Sequence, residues 1–241
     1  MRKFSSTLIV ISLISLLFIS SIPIQAQTPN SQEIWMGVYL GDMKLGYMSM
    51  SSTKTQYNGR DAYRSDVIMR TKMMLLGARI RQDINMVVYT DLEQKPIFEV
   101  FEMSSGGQTS RIEAEFKPDV IECKHVSQGV VTPKSIPIPP GTNLTDDSSL
   151  YGVGGKKVQV GDKFSANYFN PLTFTIDPLT SEVTHREKLE LRGKTYDVFV
   201  VKRNSPMEDM TLWVDENGEP IQIIMKVTMI RETKEEAMAG L

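Results

Sequence analysis

Apolar residues recur at every second position over much of this chain. Ile221, Ile223, Met225, Val227 and Met229 fall on one side, with Gln222, Lys226 and Thr228 on the other. The same alternation sets Ile112, Ala114 and Phe116 against Arg111, Glu113 and Glu115. It also sets Val183, Leu189 and Leu191 against Thr184, Arg186, Lys188 and Glu190. Side chains on a strand alternate between faces, so this period predicts strands with one face on a core and one in water. Tight-turn residues punctuate the runs at Tyr57-Asn58-Gly59-Arg60, Ser105-Gly106-Gly107, Arg192-Gly193-Lys194 and Asp215-Glu216-Asn217-Gly218.

Read this way, strands are expected over 34–40, 45–56, 62–74, 79–90, 96–104, 109–116, 120–127, 164–169, 182–191, 195–203, 210–215 and 220–230. Hairpin-linked strands form a meander, and a sheet of about 10 to 12 of them must curl to protect its edges. The predicted fold is therefore all-β and mainly antiparallel, a curled, partly open, barrel-like sheet. Three runs are apolar on both faces: Ile34 to Leu40, Pro96 to Met103 and Tyr196 to Val201. They require a cover, and Ile136 to Gly155 is the expected lid. Its prolines, Pro137, Pro139 and Pro140, lead to Thr145 or Asp146, either of which can cap a short helix. Thr233 and Glu236 have capping-box spacing, which predicts a helical tail over 233–241.

The first residues do not fit the strand pattern. Met1-Arg2-Lys3 precedes an apolar run from Leu8 to Ile19, well short of the roughly 20 residues that span a bilayer. This predicts a secretory signal over 1–26, cut after Ala26, and a single β-rich domain over 27–232 in the periplasm or outside the cell. No stable membrane insertion is expected once the signal is removed. Without Arg2 and Lys3 the 27 basic residues become 25 against 29 acidic, a net charge of −4. With no basic block, nucleic acid is excluded as an expected partner, and so are anionic headgroups.

Candidate chemistry is sparse. Cys123 is the lone cysteine, on an apolar strand face with Ile121, and a buried structural thiol is expected. The two histidines, His125 and His185, fall in strands, and no G-x-S-x-G elbow accompanies them, so no catalytic residue is expected. Cys123 and His125 share a face, with His185 as a third zinc donor at most, against the ordinary i, i+2 spacing of any strand. Asp146-Asp147 and Asp215 to Glu219 lack a calcium-loop spacing, and the second has the composition of an ordinary tight turn. No metal and no cofactor is expected. Methionine is the unusual component, with fifteen residues. Met48 and Met50 could hold Cu(I), or pack a core, or line a deformable apolar pocket. The last reading makes Met48, Met50, Met225, Val227 and Met229 the candidate ligand-binding residues.

Three segments, Trp35 to Tyr47 (WMGVYLGDMKLGY), Trp213 to Gln222 (WVDENGEPIQ) and Arg231 to Ala237 (RETKEEA), carry a resemblance. Together they resemble the β-rich N-terminal domain that precedes the catalytic core of bacterial transglutaminase-like proteins, which opens on G-x-Y-x-x-x-x-K-x-G-Y. More distantly, the strand order is similar to the curled-sheet lipoprotein carriers of the bacterial envelope. The catalytic Cys, His and Asp of the larger proteins would follow the position where this sequence ends. The resemblance thus implies an accessory domain and no nucleophile role for Cys123. The expected function is an exported, non-catalytic binding module for a hydrophobic small molecule, lipid or lipidated partner. The alternatives are an envelope scaffold that engages another envelope protein, and an enzyme accessory domain.

Overall fold

The computed structural model describes residues 33–75, 78–145 and 157–240. The expected signal at 1–26 lies outside them, as does 146–155 of the expected lid. Fifteen strands form one sheet. In chain order they are β1 (Ile34–Leu40), β2 (Met43–Tyr57), β3 (Arg60–Leu75), β4 (Ala78–Thr90), β5 (Pro96–Ser105), β6 (Gln108–Phe116), β7 (Val120–Ser127) and β8 (Val130–Pro137). There follow β9 (Leu144–Thr145), β10 (Lys163–Asn170), β11 (Thr175–Leu191), β12 (Lys194–Asn204), β13 (Met210–Val214), β14 (Pro220–Ile224) and β15 (Thr228–Glu232). A short helix α1 (Lys234–Met238) carries the predicted capping box, with both reciprocal bonds between Thr233 and Glu236 formed. It packs on β1, β2 and β15.

The sheet is a double meander. One arm runs outward from β1 to β8, the other from β15 back to β9, and the arms join where β1 pairs antiparallel with β15. Among the described residues all ladders are antiparallel except β9 with β10. The sheet curls until side chains remote in strand order meet. Phe116 of β6 and Phe169 of β10 approach edge-on at 6.0 Å between ring centroids, and both belong to or pack on a single hydrophobic core. The edges β8 and β9 are joined by 138–143 and are not hydrogen-bonded to each other in the strand order, so the barrel is open along a seam.

Three differences from the sequence expectation have local causes. The run 220–230 is a hairpin, β14 and β15, turned through Met225-Lys226-Val227 with the Met225 amide donating to the Val227 carbonyl at 3.0 Å. Ile223 and Met229 stand directly opposite in that hairpin, so both face the core and the two-residue period passes through the turn unbroken. β8 contains Pro133 and Pro137, which a sheet tolerates at an edge because an outward amide is not needed there. Finally, the described part of the expected lid begins and ends in sheet, with an irregular connection over 138–143 between. Ile136 and Pro137 end β8, and Leu144 and Thr145 form β9.

The centre of the sheet depends on one glycine. β1 and β2 slip register between Val38 and Tyr39, where Val38 faces Gly46 and Tyr39 faces Lys44, leaving Leu45 as the extra residue of a bulge. The bulge brings Gly46 against β3 so closely that an added Cβ would lie 1.8 Å from the Arg70 carbonyl oxygen.

Candidate functional site

The inner face is laid out in rows that cross the strands. One runs Met36, Met48, Met69, Ile84, Met103 through β1 to β5. Met36 and Met48 are sealed, whereas Met69, Ile84 and Met103 are only half-buried. The next row runs Ile34, Met50, Val67, Met86, Phe101, Ile112 and ends at His125 on β7.

The five residues expected to bind a ligand all belong to this core or pack on it. Met48 and Met229 are 0% and 1% exposed, so they serve as packing and offer no surface. Met50, Met225 and Val227 are half-buried at its border, and Met225 and Val227 sit in the β14–β15 turn, not in mid-strand.

The interior also holds polar groups. Glu99 on β5 is 3% exposed and Arg203 on β12 is 4% exposed. Arg203 donates from Nε to the Ser181 hydroxyl at 2.8 Å, and burial pushes its guanidinium down to about 10, which leaves it charged at neutral pH. Each stands in an apolar strand, and a charge inside such a run was the available signal for both.

Cys123 is buried on β7, between Ala114 on β6 and Lys134 on β8. Burial, then the carboxylates of Glu99 and Glu122, push its thiol up to about 12, with Lys134 pulling the other way. The reactive thiolate is therefore scarce. Labelling with a thiol reagent at neutral pH is expected to be negligible for the folded protein and complete in denaturant. Cys123→Ser should cost about 1 to 3 kcal/mol. Fast labelling of folded protein would contradict this.

The histidines are on different arms. His125 lies 2.9 Å from the Ser110 hydroxyl, while His185 on β11 engages Thr184 at 2.9 Å and Glu187 at 3.3 Å. Among the described residues no group of three His, Cys, Asp or Glu side chains is placed to hold a metal.

At the seam, the β10–β11 turn carries Phe174, whose φ is 59°, a left-handed conformation that bulky residues rarely adopt. Its amide donates to the Asn170 carbonyl at 2.8 Å, and its ring lies near Phe169 and His125. Lys134 places its ammonium 3.5 Å from the Phe174 ring centroid. The seam is thus closed by side chains. Lys134 and Phe174 carry no mark in the sequence, because strand β8 was not expected there.

The three segments that carried the resemblance meet on β15. Glu232, 1% exposed at its side chain, accepts from the Tyr39 hydroxyl at 2.5 Å and from Lys44 at 2.9 Å, and pairs with Arg192 at 2.5 Å. The cost of burying this carboxylate is outweighed by those three donors and the Arg192 charge, which hold its pKa below the ordinary glutamate range. Gly37 leaves the room it occupies, since a Cβ there would be 2.5 Å from the carboxylate. Next to it, Arg231 pairs with Glu219 at 2.9 Å and Asp215 at 3.7 Å, and Lys234 lies over the Trp35 ring at 5.0 Å. The pattern G-x-Y-x-x-x-x-K-x-G-Y therefore builds a clamp that joins the first strand to the last.

Comparison with solved structures finds a likeness to a β-barrel-like protein, a domain of unknown function DUF1849 from Brucella abortus. The TM-score is 0.53 at 12% identity, over 83% of this chain and 93% of that one, a similarity of fold. Comparison with curated proteins finds no match. The match to a family model runs from Gly37 on β1 to Ile230 on β15, nearly the whole sheet, and by it the chain belongs to the family described as Protein of unknown function (DUF3108).

Proposed function

We propose that this protein is an exported, non-catalytic binding module of the cell envelope, whose inner face takes the acyl chain or other apolar part of a small molecule or lipidated partner. The observation that carries this reading is the gradient along the methionine row, from sealed Met36 and Met48 to half-buried Met69, Ile84 and Met103. Apolar side chains that face inward and yet remain half-exposed offer surface a ligand can desolvate, at about 25 cal/mol per Å². Unbranched thioethers suit this role because they repack around irregular shapes. Export rests on the cationic and apolar residues of 1–26.

A scaffold reading is favoured by the sealing of Met36, Met48 and Met229, which shows that the centre of the face packs on itself. The resemblance to the transglutaminase-associated domain supports a third role, as an accessory module to an enzyme carried elsewhere.

An environment-sensitive apolar dye or a fatty acid is expected to bind the purified protein saturably at one site. Met103→Lys should weaken that binding at least about tenfold. Ser104→Lys, its neighbour on the opposite face of β5, should not. The binding reading fails if folded protein shows no saturable uptake or if both substitutions act equally.

A further inference from the structure

We infer that the seam beside Phe174 holds the polar head of the bound molecule, and that this head is a carboxylate on a single-chain amphiphile with Lys134 as its counter-ion. The inference rests on the reading of the inner face as an apolar binding surface. It adds the class of ligand and the direction in which it lies.

Lys134 is on the core-facing side of the edge strand, at the register of buried Cys123. Among the described residues it forms no ion pair, and its ammonium instead rests on the Phe174 ring. A cation on an aromatic face at an exposed site is held weakly, whereas an ammonium–carboxylate hydrogen bond is among the stronger polar contacts. An arriving carboxylate therefore draws Lys134 off the ring without breaking an existing salt bridge. Nearby, His125 and Ser110 add polar atoms, and Thr132 stands opposite His125 across the β7–β8 ladder.

Phe174 marks the same point independently. A bulky residue in the left-handed region stores backbone strain, and such strain concentrates where a side chain must be held in one place. Here it holds an aromatic ring at the gap between the two edges of the open sheet, in contact with Phe169, His125 and Lys134.

The half-buried row supplies the path of the tail. From Ser110, which His125 contacts, it passes to Met103 directly opposite on β5 and then to Ile84 and Met69, the half-buried side chains of the methionine row. The place of Lys134 on the edge strand fixes the orientation. Glu122, beside Cys123 in sequence, is turned to the other face, where Ser135 donates to it at 2.7 Å. The head therefore sits at the edge and the tail points inward.

The test compares oleate with oleyl alcohol, which share a tail and differ in the charge of the head, by calorimetry or dye displacement on the mature full-length protein at about pH 8. Wild type should prefer the acid by roughly tenfold or more, the worth of one charge-assisted hydrogen bond. Lys134→Met should erase the preference by weakening the acid alone, with the alcohol unchanged, and Lys134→Arg should keep it. Equal affinities of wild type for the two ligands overturn the inference, as does a preference that survives Lys134→Met. Both leave the binding reading standing. If neither ligand nor the apolar dye binds folded wild type, the binding reading itself falls, and this inference with it.

Discussion

Gly46→Ala is expected to cost more than about 4 kcal/mol, a large share of the 5 to 15 kcal/mol that ordinarily separates folded from unfolded chains. The methyl group would stand 1.8 Å from the Arg70 carbonyl oxygen, 2.8 Å from the carbon of the same carbonyl and 2.9 Å from the Thr71 Cα. All three are backbone atoms, so no rotamer change relieves the clash. Gly46 pairs with Thr71, and the ladder continues on both sides through Met48–Met69 and Val38, in the most buried part of the core. Separating β2 from β3 would open the sheet at its centre. Urea unfolding followed by the fluorescence of Trp35 and Trp213 reads the effect. An unfolding free energy within about 1 kcal/mol of wild type would show that the close approach is not a constraint on this sheet.

Glu232→Ala comes next, with an expected loss of about 3 to 5 kcal/mol, the range for removing one member of a buried, hydrogen-bonded charge cluster. The substitution strands Lys44 and Arg192 beside each other and removes the acceptor of the Tyr39 hydroxyl. Gly37 gives this prediction an internal control. The three atoms nearest to its Cβ would all belong to the Glu232 carboxylate, so Gly37→Ala should destabilise wild type by more than it destabilises Glu232→Ala. Additive effects in that double-mutant cycle would contradict the clamp. The carboxylate also makes a pH signature. Its pKa in the folded state lies below the unfolded value, because hydrogen bonds from Tyr39, Lys44 and Arg192 outweigh the opposing cost of burial. The stabilisation is therefore complete above the usual glutamate value of about 4.3 and is lost as pH falls through the lower folded value. Glu232→Gln should flatten the acid limb of the stability profile and leave its neutral-to-alkaline shape unchanged.

Alternation made the architecture legible, because a two-residue period survives whatever the strands do in three dimensions. That same property hid the β14–β15 hairpin. Ile223 and Met229 share a face across a turn with no glycine, proline or asparagine in it, so nothing in 220–230 distinguishes a reversal from a continuous strand. Strand β8 was illegible for the opposite reason. Its proline content argues against a strand in general, and only the knowledge that it is an edge removes the objection. The candidate site divides along similar lines. Met48 and Met229 were placed on the correct face, but a sequence does not distinguish a sealed position from a half-exposed one, which depends on how far the two arms approach. Lys134 on β8 and Phe174 in the β10–β11 turn are separated in the chain, and only the curl of the sheet brings them together. The clamp was visible as a motif and invisible as a contact, since Tyr39 and Glu232 are 193 residues apart.

The pairing of β1 with β15 constrains the order in which the sheet can be completed. Apart from the parallel β9–β10 pair, each arm is a run of hairpins and contains mostly short-range contacts, so each can begin to form as soon as its own strands exist. β1 can zip onto β2 early, but its other edge finds its partner only when residues 228–232 have been made. Until then the growing chain carries an unpaired strand end that includes Met36 and Val38, side chains later sealed in the core. Contacts of such long sequence separation slow folding, because most of the chain must be ordered before they can close. The nascent protein thus passes through a period in which an apolar edge is open to any other extended segment, a hazard that a holding chaperone would relieve.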